Sequence, residues 1–178
     1  MHRFQYIQGR LHCEQVPVSR IADAVGTPVY IYSHKTLVDH FRKLQRAFQS
    51  LRPMICFSVK ANGNLAILRL LVQHGAGLDV VSGGELYKAL RVGCPASRIV
   101  FASVGKRPEE IREAIRAGIF SFNVESEPEL NAIDRIARSM RVVAPVALRI
   151  NPDVEAHTHR YITTGVAESK FGIDPRTA

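Results

Sequence analysis

The sequence lacks any long hydrophobic run and any apolar stretch close behind its first residues. A membrane-spanning helix needs about 18 or more consecutive apolar residues, and a secretory signal needs an apolar stretch after a basic start. Residues 1–6 include the basic Arg3, but no apolar stretch follows them. The sequence therefore predicts neither a membrane span nor a secretory signal, and it predicts a cytoplasmic location.

Cysteine is also scarce. Cys13, Cys56 and Cys94 are odd in number, far apart and without the spacing of metal ligands. This pattern argues against a disulfide framework and against a zinc site, and it predicts free thiols in a reducing compartment.

Several motifs of nucleotide binding and catalysis are missing. The sequence contains no GxGxxG and no phosphate-binding GxxxxGK[ST]. No Ser/His/Asp arrangement and no set of metal ligands stands out, since His157 and His159 lie on what reads as a polar loop. These absences exclude the commonest nucleotide-binding and hydrolytic sites.

The formal net charge of +8 comes from dispersed basic residues that are interleaved with acids, as in residues 106–110. Dispersed charge is typical of a solvated surface, so we expect no nucleic-acid partner and no membrane. Attraction of small anions such as phosphates and carboxylates remains open.

What is present is a normal globular composition, with 46% hydrophobic and 22% charged residues in 178. From residue 54 onward, short apolar stretches predicted as strands alternate with helical segments. Predicted strands cover 54–60, 78–81, 99–102, 120–123 and 146–150, and predicted helices begin near residues 65, 83, 108 and 127. Such alternation with short connections predicts right-handed βα units and a parallel sheet, an α/β fold.

The helix starts carry recognisable signals. Ser82 with Glu85 and Ser126 with Glu129 have the spacing of capping boxes, and Pro108 begins the helix between them. Upstream, residues 1–28 read as short mixed segments with a short helix over 18–25, residues 29–32 read as a strand, and Ser33 caps a helix over 34–50.

Polar groups gather where the predicted strands end. Lys60 lies at the end of the first strand of this series, Asp79 ends the second, Asn123 the fourth, and Arg149 with Asn151 the fifth. Barrel enzymes keep their chemistry at this edge. Side chains alternate along a strand, so Cys56 and Ser58 share the face of Lys60 and leave room for a ligand. Each residue alone could be a solvated lysine, a cap or a surface ion pair. Together they predict a ligand site in which Lys60 attacks an aldehyde.

The chain resembles the N-terminal part of the diaminopimelate decarboxylase family, barrel-type pyridoxal-phosphate enzymes with the fold of alanine racemase. Nearly the whole chain carries the resemblance. The matching segments are 26–32, 59–65, 79–86, 104–106, 122–126, 148–154 and 157–172. Ser103 departs from the glycine usual in the family.

The resemblance implies a site and a reaction. Lys60 would bind pyridoxal 5'-phosphate covalently, Asp79 and Glu85 would lie near the cofactor, and Arg149 would lie near its phenolic oxygen. Glu85 has an alternative role as the acceptor of its capping box. The implied reaction is decarboxylation of meso-2,6-diaminopimelate to L-lysine and carbon dioxide, by a homodimer.

The resemblance also implies an architecture: an incomplete TIM-type barrel of about five of eight βα units over residues 34–178. Residues 1–33, with the strand at 29–32, would be the N-terminal segment of a C-terminal β-domain. We expect that β-domain, a sixth strand and its histidine to lie beyond Ala178, so the chain would be a fragment with weak or no turnover. The alternatives are a non-catalytic pyridoxal-phosphate carrier and a remnant that pairs with a full-length relative.

Overall fold

The computed structural model describes residues 2–152, 154 and 172–174. The chain forms two compact units, residues 1–53 and 54–178. Most of the segment 157–172 that contributed to the resemblance, including His157 and His159, lies outside the described residues. Where the structure is described, no helix has the length and apolar character needed to cross a bilayer.

The first unit opens with a small antiparallel sheet that the sequence had not predicted. Its strands are β1 (Phe4–Ile7), β2 (Arg10–Cys13) and β3 (Val16–Pro17), in the order β1-β2-β3. Gln8 and Gly9 both have positive φ, 47° and 74°, as the two-residue turn between β1 and β2 requires. These strands mix polar and apolar residues and lack the short apolar runs that mark the strands after residue 54.

Two helices complete the first unit: α1 (Val18–Val25), as predicted, and α2 (His34–Ala47), followed by a 3-10 turn at Gln49–Leu51. Ser33 caps α2 as predicted, because its Oγ accepts the N–H of Thr36 at 3.0 Å. Glu14 accepts the N–H of Lys35 and the hydroxyl of Ser33, both at 2.8 Å, and these bonds lower the pKa of its carboxyl.

The strand predicted at Val29–Tyr32 does not form among the described residues, and the partner expected for it belongs to the C-terminal β-domain. These residues have no strand partner, and Tyr30 is 89% exposed. β-forming side chains favour an extended backbone, but a strand also needs a hydrogen-bonded neighbour. The first compact unit ends at residue 53. The domain boundary predicted after residue 33 stays a prediction.

The second unit is a five-stranded sheet in the order β4-β5-β6-β7-β8, and all its strands are parallel. Its strands are β4 (Cys56–Ser58), β5 (Gly77–Val80), β6 (Ile99–Ala102), β7 (Ser121–Val124) and β8 (Val146–Leu148). Its helices are α3 (Leu65–Gln73), α4 (Gly83–Arg91), α5 (Pro108–Ala117) and α6 (Glu127–Ser139). The predicted βα alternation and parallel sheet are confirmed.

One face of this sheet packs against the helices and forms the core. The side chains that the strands, and the turn after β4, contribute there are large and apolar, and each is at most 1% exposed: Val59 from the turn, and Leu78, Val80, Ile99, Phe101, Phe122 and Val124 from the strands. The rings of Phe101 and Phe122 stack with centroids 6.1 Å apart. Helix residues such as Leu68 and Ile133 close the layer.

The first strand of this sheet is shorter than predicted. β4 ends at Ser58, and Lys60 lies in a 3-10 turn at Val59–Ala61. The alternation of side chains therefore holds for Cys56 and Ser58 but does not extend to Lys60, because a turn breaks the period of two.

Candidate functional site

The second face of the sheet, which we call the open face, carries small and polar side chains. The register pairs Cys56 with Gly77 and Ser58 with Asp79 across β4 and β5, and Ala102 with Asn123 across β6 and β7. Gly77 is required here, since a Cβ would stand 2.8 Å from the Cys56 sulfur and 2.5 Å from a carbonyl oxygen. The open face thus carries small or polar side chains at these register positions, and Gly77 has no room for a larger one.

Lys60 lies at the carboxyl end of β4, in the turn that leads to α3. Its side chain is exposed, and the next helix is capped by Asn64, whose Oδ1 accepts the N–H of Ala66 at 2.9 Å. In the described part of the chain, Lys60 forms no hydrogen bond or ion pair with Asp79, Glu85 or Arg149. Its amine is therefore accessible to a ligand.

Asp79 lies beside Ser58 on the open face. The Ser58 hydroxyl donates to Oδ2 of Asp79 at 2.9 Å. The other oxygen, Oδ1, is buried and has no hydrogen-bond partner among the described residues. A buried carboxylate oxygen without a donor is costly, so Oδ1 is a candidate acceptor for a group outside the described residues.

Arg149 follows β8 and is held by a buried carboxylate at the end of β7. Its Nη1 donates to Oε1 and Oε2 of Glu125 at 2.9 and 3.1 Å. The Glu125 side chain is 4% exposed and the Arg149 side chain 39%. Oε2 of Glu125 also accepts the N–H of Gly172 at 3.1 Å. The arginine is thus anchored on one side and accessible on another.

Lys106 is fully buried below the same edge. Its Nζ donates to the carbonyl oxygens of Ser103 and Asn123, at 2.9 and 2.7 Å, and forms an ion pair with Glu129. The ammonium also lies 5.7 Å from the centroid of the Phe101 ring. A buried ammonium needs this many partners, so Lys106 ties the ends of β6 and β7 to α6.

Glutamates near the helix starts organise the same edge of the sheet. The Ser82 and Ser126 caps are confirmed, with their Oγ atoms accepting the N–H groups of Glu85 and Glu129. In each helix a carboxylate oxygen accepts a backbone N–H near the helix start: Glu85 from Val81 at 2.8 Å, Glu110 from Arg107 at 3.0 Å, and Glu129 from Glu125 at 2.8 Å. Glu85 thus bonds the residue before the cap, Val81, and not the N–H of Ser82 that a capping box would use.

Glu110 links two connections of the sheet. Besides the N–H of Arg107, it accepts the N–H of Gly83 at 2.7 Å. Burial, the largest single effect, raises the pKa of its carboxyl, but the N–H groups of Arg107 and Gly83 and the charge of Arg107 together lower it below its ordinary value.

The three cysteines are free thiols. Cys94 is buried, and burial is the main cause that raises the pKa of its thiol to about 11. Burial also raises the pKa of Cys56 and Cys13. Thiolates are the reactive form of cysteine, so none of the three has the properties of a nucleophile at neutral pH.

Comparison with known proteins identifies the family. The profile of the family described as "Pyridoxal-dependent decarboxylase, pyridoxal binding domain" matches residues 34–178. The chain belongs to this family. Diaminopimelate decarboxylase from Neisseria meningitidis serogroup B is 50% identical over 163 residues, 92% of this chain and 39% of the relative. The Haemophilus influenzae enzyme of the same name is 45% identical over the whole chain and 43% of its own length.

Solved structures confirm the fold. Diaminopimelate decarboxylase from M. jannaschii, in co-complex with L-lysine, superposes with a TM-score of 0.90 at 38% identity. The match covers 98% of this chain and 42% of that protein. The predicted partial TIM-type barrel is therefore confirmed, and this chain spans about two fifths of the length of these relatives.

The cofactor implied by the family is pyridoxal phosphate, and the described residues fit it. An accessible lysine amine, Lys60, follows β4, and small side chains leave the open face clear. Oδ1 of Asp79 has no donor among the described residues and can accept a hydrogen bond. The guanidinium of Arg149 is partly exposed and carries a positive charge.

Sequence reasoning placed polar groups at the correct edge but missed how they are held. It gave Ser58 only the role of leaving room for a ligand, and it assigned no role to Lys106 or Glu125. The Ser126–Glu129 spacing pointed to Glu129 as an acceptor at the start of α6. In the structure its carboxylate accepts the N–H of Glu125. Nothing in the single sequence distinguishes the buried Lys106 from a solvated lysine.

Proposed function

We propose that this chain is the cofactor-binding part of a pyridoxal-phosphate-dependent diaminopimelate decarboxylase, with meso-2,6-diaminopimelate as substrate and L-lysine and carbon dioxide as products. The observation that carries the proposal is the accessible amine of Lys60 at the carboxyl end of β4, within a matched pyridoxal-binding domain. The identity of 45 to 50% to relatives of that name supports the choice of substrate.

Each residue of the proposed site has a separate task. Lys60 would bind the cofactor covalently, its amine condensing with the aldehyde while water leaves. Asp79 presents Oδ1 as a hydrogen-bond acceptor, held in place by Ser58. Arg149 places a cation next to the phenolic oxygen of the cofactor, with Glu125 fixing its guanidinium.

Glu85 keeps its proposed place near the cofactor, although its Oε2 is already engaged by the N–H of Val81. There its negative charge would act on the cofactor in the same sense as the charge of Asp79. When bound, the cofactor supplies the electron sink for the loss of carbon dioxide. The chain supplies binding, orientation and a space that small side chains keep open.

A test of the proposal is the titration of the chain with pyridoxal phosphate, followed by visible absorbance. We expect saturable binding that Lys60→Met abolishes. Lys88→Met is the matched control, because the Lys88 amine lies 3.0 Å from the position of a Cβ on Gly63, in the turn after Lys60. Equal binding by the wild type and Lys60→Met would contradict the proposal.

The alternative is a cofactor carrier without catalysis, which the site favours in one respect: every residue assigned above serves the cofactor and none the substrate. Release of labelled carbon dioxide from meso-diaminopimelate separates the two. Release that depends on Lys60 supports the decarboxylase, whereas stable cofactor binding without release supports the carrier or a remnant that pairs with a full-length relative.

A homodimer and a cytoplasmic location complete the proposal. The dimer follows from the resemblance to the family, and sedimentation velocity of the chain with its cofactor tests it. Three free thiols suit a reducing compartment.

A further inference from the structure

Four charged side chains connect the core of the second unit to the proposed cofactor site. They are Lys106, Glu129, Glu125 and Arg149, and we call them the buried charge chain. Lys106 pairs with one oxygen of Glu129. The other oxygen of Glu129 accepts the N–H of Glu125 at 2.8 Å, and the Glu125 carboxylate accepts from Arg149.

Burial shows that this arrangement is built rather than incidental. The side chains of Lys106, Glu129 and Glu125 are 0%, 9% and 4% exposed, whereas that of Arg149 is 39% exposed. Exposure is thus confined to the last member of the buried charge chain. Two positive and two negative groups balance, as buried charges require.

The contacts also define how the guanidinium is held. One nitrogen, Nη1, lies within 3.1 Å of both oxygens of Glu125, and Oε2 of Glu125 is further fixed by the N–H of Gly172. Charge-assisted hydrogen bonds of this kind are shorter and about twice as strong as neutral ones. Glu125 therefore has the geometry to fix the rotation of Arg149.

We propose that Glu125 and Lys106 are positioning residues for Arg149. Glu125 acts directly on the guanidinium, and Lys106 acts through Glu129, which holds the backbone of Glu125. This inference rests on the proposed function for the role of Arg149 toward the cofactor. The positioning of the arginine itself is a property of the chain without any ligand.

The experiment measures two quantities on the 178-residue chain: rotation of the Arg149 guanidinium by ¹⁵N NMR without cofactor, and affinity for pyridoxal phosphate. For Glu125→Gln we expect rotation at least about tenfold faster and affinity about tenfold weaker, since the charge-assisted bonds are lost. Glu113→Gln is the matched control, because Glu113 is exposed on α5. Glu125→Asp, which keeps the charge but shortens the reach, should give a smaller change.

Lys106→Met alone would leave Glu129 buried without its partner, so the variant to use is Lys106→Met/Glu129→Met. It removes both charges and the acceptor for the Glu125 N–H. We expect a folded protein by circular dichroism, with Arg149 rotating about threefold faster and affinity about threefold weaker. Lys43→Met, at an exposed position on α2, is its control.

The outcomes separate the two proposals. Unchanged Arg149 rotation in Glu125→Gln overturns the role of Glu125. The role of Lys106 is overturned if the double variant changes thermal unfolding but changes neither the rotation of Arg149 nor the affinity. If Glu125→Gln does not fold, Glu125→Asp decides by the same two measurements. A wild-type chain that binds no pyridoxal phosphate contradicts the proposed function, and the rotation of Arg149 still decides the positioning inference.

Discussion

The two faces of the five-stranded sheet are made by the same strands but carry different kinds of side chain. On the helix side, Leu78, Phe101 and Phe122 are fully buried. On the open face, their sequence neighbours Asp79, Ala102 and Asn123 are small or polar and half-buried. The first face stabilises the fold by burying apolar area. The second carries small and polar groups for a ligand. Alternate residues of one strand therefore serve stability on one face and chemistry on the other.

The largest expected effect is on the helix side. Phe122→Ala removes a 0% exposed ring that stacks on Phe101, and we expect a loss of about 3–5 kcal/mol in the free energy of unfolding. Urea denaturation measures it. Phe120→Ala is the matched control, since Phe120 is 52% exposed. Similar losses in both variants would break the distinction between core and surface at this strand.

The second prediction concerns Lys106 at the carboxyl ends of β6 and β7. Lys106→Met leaves the Glu129 carboxylate buried without its ammonium, and we expect a loss of about 3 kcal/mol. The double variant Lys106→Met/Glu129→Met should be less destabilised than Lys106→Met, because no unpaired charge remains. Urea denaturation of both variants checks this order, and the reverse order would refute the ion pair as the source of the effect.

The third prediction sharpens the contrast on the open face. Asp79→Asn removes the charge but keeps the volume and an acceptor for the Ser58 hydroxyl, so we expect a change in stability of no more than about 1 kcal/mol, the net size of one hydrogen bond. Affinity for pyridoxal phosphate should fall about tenfold, or about 1.4 kcal/mol. Asp134→Asn, an exposed site on α6, should change neither quantity. A large loss of stability in Asp79→Asn would place Asp79 with the core instead.

The smallest effect is a pH dependence at Glu110. Its pKa is lowered in the folded state, so its contribution is present above its ordinary value of 4.5 and is lost as the pH falls through the folded pKa. Glu110→Gln should cost about 1 kcal/mol at pH 7 and should lose less stability than the wild type below pH 4.5. Glu109→Gln, at an exposed position, should titrate like the wild type in thermal unfolding.

Local signals in the sequence predicted most of the second unit. Ser82, Pro108 and Ser126 begin their helices as predicted, because caps and a first-turn proline act within a few residues. The strand at 99–102 is confirmed at both ends. The placement of polar groups at one edge followed from parallel topology alone.

What the sequence could not predict depends on distant partners. The segment 29–32 has strand composition but no neighbouring strand in the chain described. Glu125 and Arg149 are 24 residues apart and meet only because β7 and β8 are adjacent. The buried Lys106 amine finds its partners on Asn123 and Glu129, which are 17 and 23 residues away in the chain. Such contacts appear only once the strands are in register.

The central claim is that the open face holds pyridoxal phosphate through Lys60, and peptide mapping tests it most directly. The chain is incubated with the cofactor, reduced with borohydride and digested, and mass spectrometry then locates the pyridoxyl group among its six lysines: Lys35, Lys43, Lys60, Lys88, Lys106 and Lys170. We expect the group on Lys60 and its loss in Lys60→Met but not in Lys88→Met. Labelling spread over Lys35, Lys43 and Lys88, with Lys60 unmodified, would contradict the claim.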